Sequence, residues 1–91
     1  MYSQVGPNAV VSDQGYRVSR ASRFAVRYED SRGVVEMEVE PGDPLLVVGD
    51  SVTGWCLSGG KKEEMSMSDR STILERVVEA MGFLGTNVEV V

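Results

Sequence analysis

Three glutamates alternate with apolar residues in the segment 34–40, and they are the first residues whose spacing suggests chemistry: Glu36, Glu38 and Glu40. A β-strand points alternate side chains to one face, so the carboxylates would form a row with neighbours about 6–7 Å apart. Such a row can bind a hard cation or a basic protein. A cation site gathers ligands from several segments, and no D-x-D-x-D-G loop occurs in the sequence. We therefore expect no metal site, and either a solvated face partly neutralised by Arg23 and Arg27 or a protein-binding face.

Four further residues are candidates for contact with a partner: Asp50, Trp55, Glu63 and Glu64. Asp50 follows a glycine in a predicted turn, and the two glutamates end the segment 59–64, which we expect to be a charged, exposed loop. Trp55 stands between a predicted strand and this loop. It is therefore either a core residue or the apolar anchor of an interface, where tryptophan is enriched.

The residue types that the chain lacks exclude most enzymatic chemistry. None of the 91 residues is a histidine, which removes Ser-His-Asp and Cys-His triads and imidazole metal ligands. The Gly59-Gly60-Lys61 segment does not have the spacing of a phosphate-binding loop. Without a histidine to activate it, Cys56 is expected to be a small buried side chain. We predict no catalytic residue, no cofactor and no enzymatic activity.

Length and charge limit the cellular setting and the partners. The chain is long enough for one domain, 1–91, and its net charge of −5 disfavours binding to nucleic acid or to anionic membranes. Its longest aliphatic run, 45–48, falls far short of the ~20 residues that span a bilayer. The N-terminal residues show neither a basic nor an apolar signal region, and the single cysteine favours a reducing compartment. We expect a cytoplasmic protein.

The clearest structural prediction is a β-hairpin between residues 23–29 and 34–40. Both segments alternate apolar and charged residues, and Asp30-Ser31-Arg32-Gly33 between them has turn chemistry. Folding the segments about this turn pairs apolar with apolar residues and arginine with glutamate. The predicted apolar pairs are Phe24–Val39, Val26–Met37 and Tyr28–Val35, and the predicted charged pairs are Arg27–Glu36 and Arg23–Glu40.

The remaining segments complete an α+β prediction. Residues 1–15 are expected to be a loosely structured segment with at most one short strand, and residues 45–48 a central strand covered on both faces. A short strand follows at 52–57. The only strong helical pattern begins at an N-cap, Ser68, and ends at Gly82 or Gly85, of which Gly85 is favoured because Leu84 continues the apolar stripe. A terminal strand follows at 88–91. The predicted apolar stripe of the helix comprises Ile73, Leu74, Val77, Val78, Met81 and Leu84. We predict an antiparallel sheet of about five to six short strands with this helix packed on one face.

A family resemblance extends this prediction over residues 34–91. The apolar strand at 45–48 leads to a Ser-Val-x-x-Trp segment at 51–55, a charged loop at 61–64, a Ser-initiated helix and a Gly-x-x-Val-x-Val ending at 85–90. This order of motifs resembles one of the small α+β immunity-protein families of bacterial polymorphic-toxin systems. The resemblance implies no enzymatic activity and tight binding to a cognate toxin. Many such toxins are nucleases with basic clefts, which an acidic protein approaches rapidly through electrostatic steering.

Two other classes of function remain open on the sequence. One is a structural or accessory subunit that forms a homo-oligomer through an exposed sheet edge at 45–48 or 88–91. The other is an RNA- or nucleotide-binding module that uses the arginines of the first half and exposed aromatic residues. These arginines are Arg17, Arg20, Arg23, Arg27 and Arg32.

Overall fold

The computed structural model describes residues 1–91, with the side chain of residue 58 left out. Over this described chain the fold is α+β, with nine strands and one α-helix. In chain order they are β1 (Tyr2–Gly6), β2 (Ala9–Ser12), β3 (Arg17–Ser22), β4 (Ala25–Glu29), β5 (Val34–Glu40), β6 (Leu45–Val47), β7 (Gly54–Cys56), β8 (Lys62–Glu64), α1 (Met67–Phe83) and β9 (Val88–Val90). The predicted α+β class is confirmed, but the sheet has more strands than the five to six expected, and it is mostly rather than wholly antiparallel.

The strands form one sheet in the order β1-β2-β3-β4-β5-β6-β9. Neighbouring strands are antiparallel except β6 and β9, which run parallel with Leu45 opposite Val88 and Val47 opposite Val90. β7 branches from this order, pairing with β5 through Cys56 and Val34 and with β8 on its other side. The sheet therefore ends at β1 on one side and at β9 on the other.

The predicted hairpin of β4 and β5 is confirmed over most of its length. Val26 lies opposite Met37, Tyr28 opposite Val35 and Arg27 opposite Glu36. The start of the hairpin differs: β4 begins at Ala25, and the Phe24 side chain is 59% exposed instead of facing the core. Only the backbone of Phe24 keeps the expected partner, because its carbonyl accepts a hydrogen bond from Val39 N at 2.9 Å.

Two segments that we expected to be irregular are strands. Residues 1–15 contain β1 and β2, which pair from Tyr2–Ser12 to Gly6–Ala9, so the expectation of a loosely structured segment was wrong. The end of the charged segment 59–64 forms β8, whose three residues are all exposed. β8 is close to β7: a side chain at Gly54 would place its Cβ 2.7 Å from the Glu63 carbonyl oxygen, which explains the glycine there.

The helix begins two residues earlier than predicted. Ser66 is the N-cap, and its Oγ accepts a hydrogen bond from Asp69 N at 3.0 Å. The predicted stop at Gly85 is correct. Gly85 has a φ of +85°, its N–H bonds to Gly82 O, and Thr86 N–H bonds to Met81 O, the two bonds of a Schellman motif. The core-facing residues of the helix are Ile73, Val77, Ala80 and Met81.

Candidate functional site

Strand β5 presents the three predicted glutamates together on its solvent-facing side. Val35, Met37 and Val39 are buried in the core, whereas Glu36, Glu38 and Glu40 alternate with them and are exposed. The apolar half of the alternation is buried against α1 and the rest of the core, so the carboxylates must face water. The expected common face of the three carboxylates is confirmed.

The arginines expected to neutralise this row contact other groups. Arg27 lies directly across the sheet from Glu36, yet its Nε is 3.3 Å from a carboxylate oxygen of Glu29 on its own strand. The Arg23 guanidinium lies over the Phe24 ring, 5.7 Å from the ring centroid. The β5 carboxylates consequently keep more of their negative field than the predicted Arg–Glu pairs would leave.

Two residues outside the predicted set extend the row of carboxylates across the sheet. Leu46 of β6 lies opposite Glu40 on one side and opposite Glu89 of β9 on the other. Cross-strand partners share a face, so a half-buried leucine is flanked by two exposed carboxylates, with strands spaced about 4.8 Å apart. We call this surface the acidic outer face: Glu36, Glu38, Glu40, Leu46 and Glu89. The uninterrupted apolar pattern at 45–48 predicted a strand covered on both faces, so Leu46 was not among the predicted site residues.

Asp50 lies between strand β5 and the start of α1. It lies in the 3₁₀ turn Gly49–Ser51 that follows β6. Ser51 Oγ holds this turn against β5 by accepting a hydrogen bond from Glu38 N at 2.9 Å and donating one to Val48 O at 2.5 Å. The Asp50 carboxylate is exposed and lies 3.8 Å from the guanidinium of Arg70 on α1. Asp50 therefore adds negative charge between β5 and the start of the helix.

Glu63 and Glu64 are adjacent in sequence but differ in their contacts. Glu63 accepts a hydrogen bond from Arg32 at 2.5 Å, and the same guanidinium donates to Asp69 at 2.8 Å. The Glu63 hydrogen bond raises the pKa of Arg32, so this guanidinium stays charged. Glu63 is thus already engaged in a link between β8, the β4–β5 turn and the first turn of α1. Glu64 pairs with Gly54 in the β7–β8 ladder and is exposed.

Trp55 is a core residue in this structure. Its side chain is 4% exposed, and its ring centroid lies 6.2 Å from that of Tyr28. The Arg32 guanidinium lies over the Trp55 ring, 5.0 Å from the ring centroid. Among the described residues, its indole Nε1–H is a buried donor that lacks an acceptor. Of the two interpretations of Trp55 in the sequence, the structure shows the core one. An exposed apolar anchor has to be found elsewhere on the surface.

A groove of about 740 Å³ lies beside Trp55, and its chemistry is mixed. Its lining combines cations with carboxylates and includes Arg27, Arg32, Lys62, Asp30 and Glu36. Cys56 also lines it and is exposed, so the expectation of a buried thiol was wrong. Two of the three cations already pair with carboxylates, Arg27 with Glu29 and Arg32 with Glu63. The groove therefore has no single sign of charge that would select a ligand.

A partly buried polar chain joins α1 to the sheet, and we call it the aromatic seam: Tyr16, Tyr28, Asp30 and Arg76. Arg76 donates a hydrogen bond to Tyr28 Oη at 2.7 Å, Tyr28 Oη donates to Asp30 at 2.7 Å, and the Arg76 guanidinium lies 4.6 Å over the Tyr16 ring. Burial, reinforced by the Asp30 hydrogen bond, raises the pKa of Tyr28 to about 12. The seam links α1 to the sheet through these contacts.

Comparisons with known proteins do not assign this chain to a family. Family models, curated proteins and solved structures were compared with it, and none matched. Within the described residues, no group of three or more His, Cys, Asp or Glu side chains could hold a metal ion. The helix of the described chain is too short and too polar to cross a membrane.

Proposed function

We propose that this protein is a non-enzymatic protein-binding domain that neutralises a bacterial toxin, with the acidic outer face as the surface that recognises it. The observation that carries the proposal is the row Glu36, Glu38 and Glu40, exposed on one strand while the facing Arg27 pairs with Glu29. The sequence-level resemblance to immunity proteins supplies the class of partner.

The arrangement suits a partner with a basic surface. A concentrated negative field raises the rate of encounter with a positively charged protein, and rim charges act mainly on association. Leu46 lies between Glu40 and Glu89, so the same face offers an apolar contact surrounded by carboxylates. Apolar centres with charged rims are the usual organisation of protein interfaces.

The proposal is tested by co-expression with the toxin domain encoded next to this gene. Cells that produce the toxin domain should survive only when this protein is present, and the two proteins should remain together in a pull-down. Equal cell death with and without the protein, or the absence of a toxin gene beside it, would overturn the proposal.

A charge-reversal pair identifies the surface. Glu36→Lys with Glu38→Lys should slow association about tenfold at low salt and should flatten its salt dependence, because it reverses the steering field. The matched control, Asp13→Lys with Asp43→Lys, changes the net charge equally at exposed sites that are not among the candidate contact residues. Equal slowing by both pairs would show that only the overall charge matters.

A further inference from the structure

A second apolar surface lies between α1 and β9, and we call it the β9 groove. It is a shallow depression of about 630 Å³ lined by Ser71, Leu74, Glu75, Val78, Glu79 and Val90. Val78 is 37% exposed and Val90 is 43% exposed, although both are aliphatic. The floor of the groove is apolar, and two carboxylates stand at its rim.

The groove lies along an open sheet edge. β9 ends the strand order, with β6 on its one paired side. Asn87 O accepts from Leu45 N at 2.8 Å, and Val91 N donates to Val47 O at 2.9 Å, so the odd-numbered residues of this strand bond to β6. Because a strand alternates the direction of its backbone groups, the N–H and C=O of Val88 and Val90 point away from β6. These groups are a template for a further strand.

The negative charges around β9 determine which kind of strand can pair with its open edge. Glu75 and Glu79 border the groove on the helix side, and Glu89 is exposed on the other face of β9. A second copy paired with β9 by a two-fold axis centred on Glu89 would place Glu89 opposite Glu89, and like charges directly opposite destabilise a sheet. The chain as a whole also carries a net charge of −5. The edge therefore disfavours a second copy and favours a basic segment.

We propose that β9 binds an extended, basic segment of another protein by strand addition. An added strand lies about 4.8 Å from β9 and points alternate side chains to opposite faces. On the inner face an apolar side chain enters the β9 groove beside Val78 and Val90. On the outer face basic side chains meet Glu89, so the segment alternates basic and apolar residues. This inference rests on the proposed function, because it specifies which edge of the domain holds the partner.

The probe is the peptide acetyl-Lys-Val-Lys-Val-Lys-amide, titrated into the ¹⁵N-labelled full chain and followed by NMR. Binding should shift the amide signals of Val88, Val90 and Val78 and slow hydrogen exchange at Val90. The scrambled peptide acetyl-Val-Val-Lys-Lys-Lys-amide has the same composition and charge without alternation, and it should bind more weakly. Equal binding of the two peptides, or shifts confined to the β5 glutamates, would overturn strand addition.

Two variants separate the backbone contribution from the charge contribution. Val90→Pro removes one open-edge N–H and should weaken peptide binding about tenfold, whereas Val90→Ala keeps this donor and should bind more tightly than Val90→Pro. Glu75→Lys with Glu79→Lys leaves β9 intact and should weaken binding at least about threefold at low salt. If this charge-reversed variant binds the peptide as well as the unmodified chain does, the inference is wrong even if Val90→Pro fails to fold.

The toxin experiment distinguishes this inference from the proposed function. If the toxin binds and Val90→Pro binds it equally well, the acidic outer face is sufficient and strand addition at β9 is refuted. If the toxin fails to bind while the alternating peptide still binds at β9, the immunity role is refuted and the edge site stands.

Discussion

The two sides of α1 reverse the expected relation between residue type and burial. On one side, the charged Arg76 lies in the aromatic seam, bonded to Tyr28 and stacked on Tyr16. On the other side, two residues further along the helix, the apolar Val78 is exposed in the β9 groove. The position of the helix on the sheet explains both. Two tyrosines of the sheet, Tyr28 and Tyr16, contact Arg76, whereas the sheet ends at β9 and leaves Val78 uncovered.

An exposed apolar residue and a partly buried, hydrogen-bonded charge therefore have different roles in this fold. In the aromatic seam, Arg76 donates a hydrogen bond to Tyr28, and Tyr28 donates one to Asp30. The seam therefore stabilises the folded state. The β9 groove leaves apolar surface and backbone groups open, so it is the side of the helix suited to binding.

The largest decrease in the free energy of unfolding is expected when the positive charge of the aromatic seam is removed. Arg76→Met keeps the length of the apolar stem but removes the hydrogen bond to Tyr28 and the contact with Tyr16. We expect the free energy of unfolding to fall by about 2 kcal/mol, measured by urea denaturation. Arg70→Met is the control on the same helix, because its 3.8 Å contact with Asp50 is exposed and should contribute less than about 0.5 kcal/mol. Equal losses would show that the seam is not stabilising.

An intermediate decrease in the free energy of unfolding is expected when the pH rises above 10. The folded-state pKa of Tyr28, about 12, is above the value of about 10 for an unfolded tyrosine, so folding favours the neutral phenol. This contribution is fully present below pH 10 and is lost as the pH rises towards 12, by up to about 1 kcal/mol at pH 11. Unfolding curves from pH 9 to 11.5 should therefore show a decline that is smaller in Tyr28→Phe. An identical decline in both proteins would assign the loss to other groups.

The smallest effect on stability is expected in the groove. Val78→Thr replaces a methyl group by a hydroxyl at an exposed site and should change the free energy of unfolding by less than about 0.5 kcal/mol. The same substitution should weaken binding of the alternating peptide. Val77→Thr makes the same change next to it at a fully buried position, and should cost about 1–3 kcal/mol. Thermal or urea denaturation of both variants checks the difference, and similar losses would place Val78 in the core.

The sequence predicted those parts of the fold in which alternation and local pairing agree. The β4–β5 register follows from residues that face each other across a short turn, such as Val26 and Met37, and from the outward glutamates of β5. The stop of α1 follows from the conformational freedom of Gly85. The exposed placement of the β5 part of the candidate site was predictable for the same reason.

Other parts of the fold and of the candidate site depend on contacts between distant segments, which the local sequence pattern does not predict. β8 consists of Lys62, Glu63 and Glu64, whose side chains are all exposed, and it is a strand because β7 supplies its hydrogen bonds. Leu46 and Glu89 share a face only because distant segments pair in parallel. Helical periodicity placed Val78 in the apolar stripe and omitted Ala80, since it gives the direction of the stripe but not the edge of the sheet beneath it.

The parallel pairing of β6 with β9 also sets an order of events during folding. Antiparallel partners such as β4 and β5 are joined by a short turn. Leu45 pairs with Val88, which follows the entire helix in the chain, so this pair can form only after the helix has been synthesised. Contacts between residues so far apart in sequence form late, because the intervening chain must first be closed into a loop. During synthesis, β6 therefore remains an open apolar edge until β9 has left the ribosome, and that interval is when the nascent chain is most prone to pair with the wrong strand.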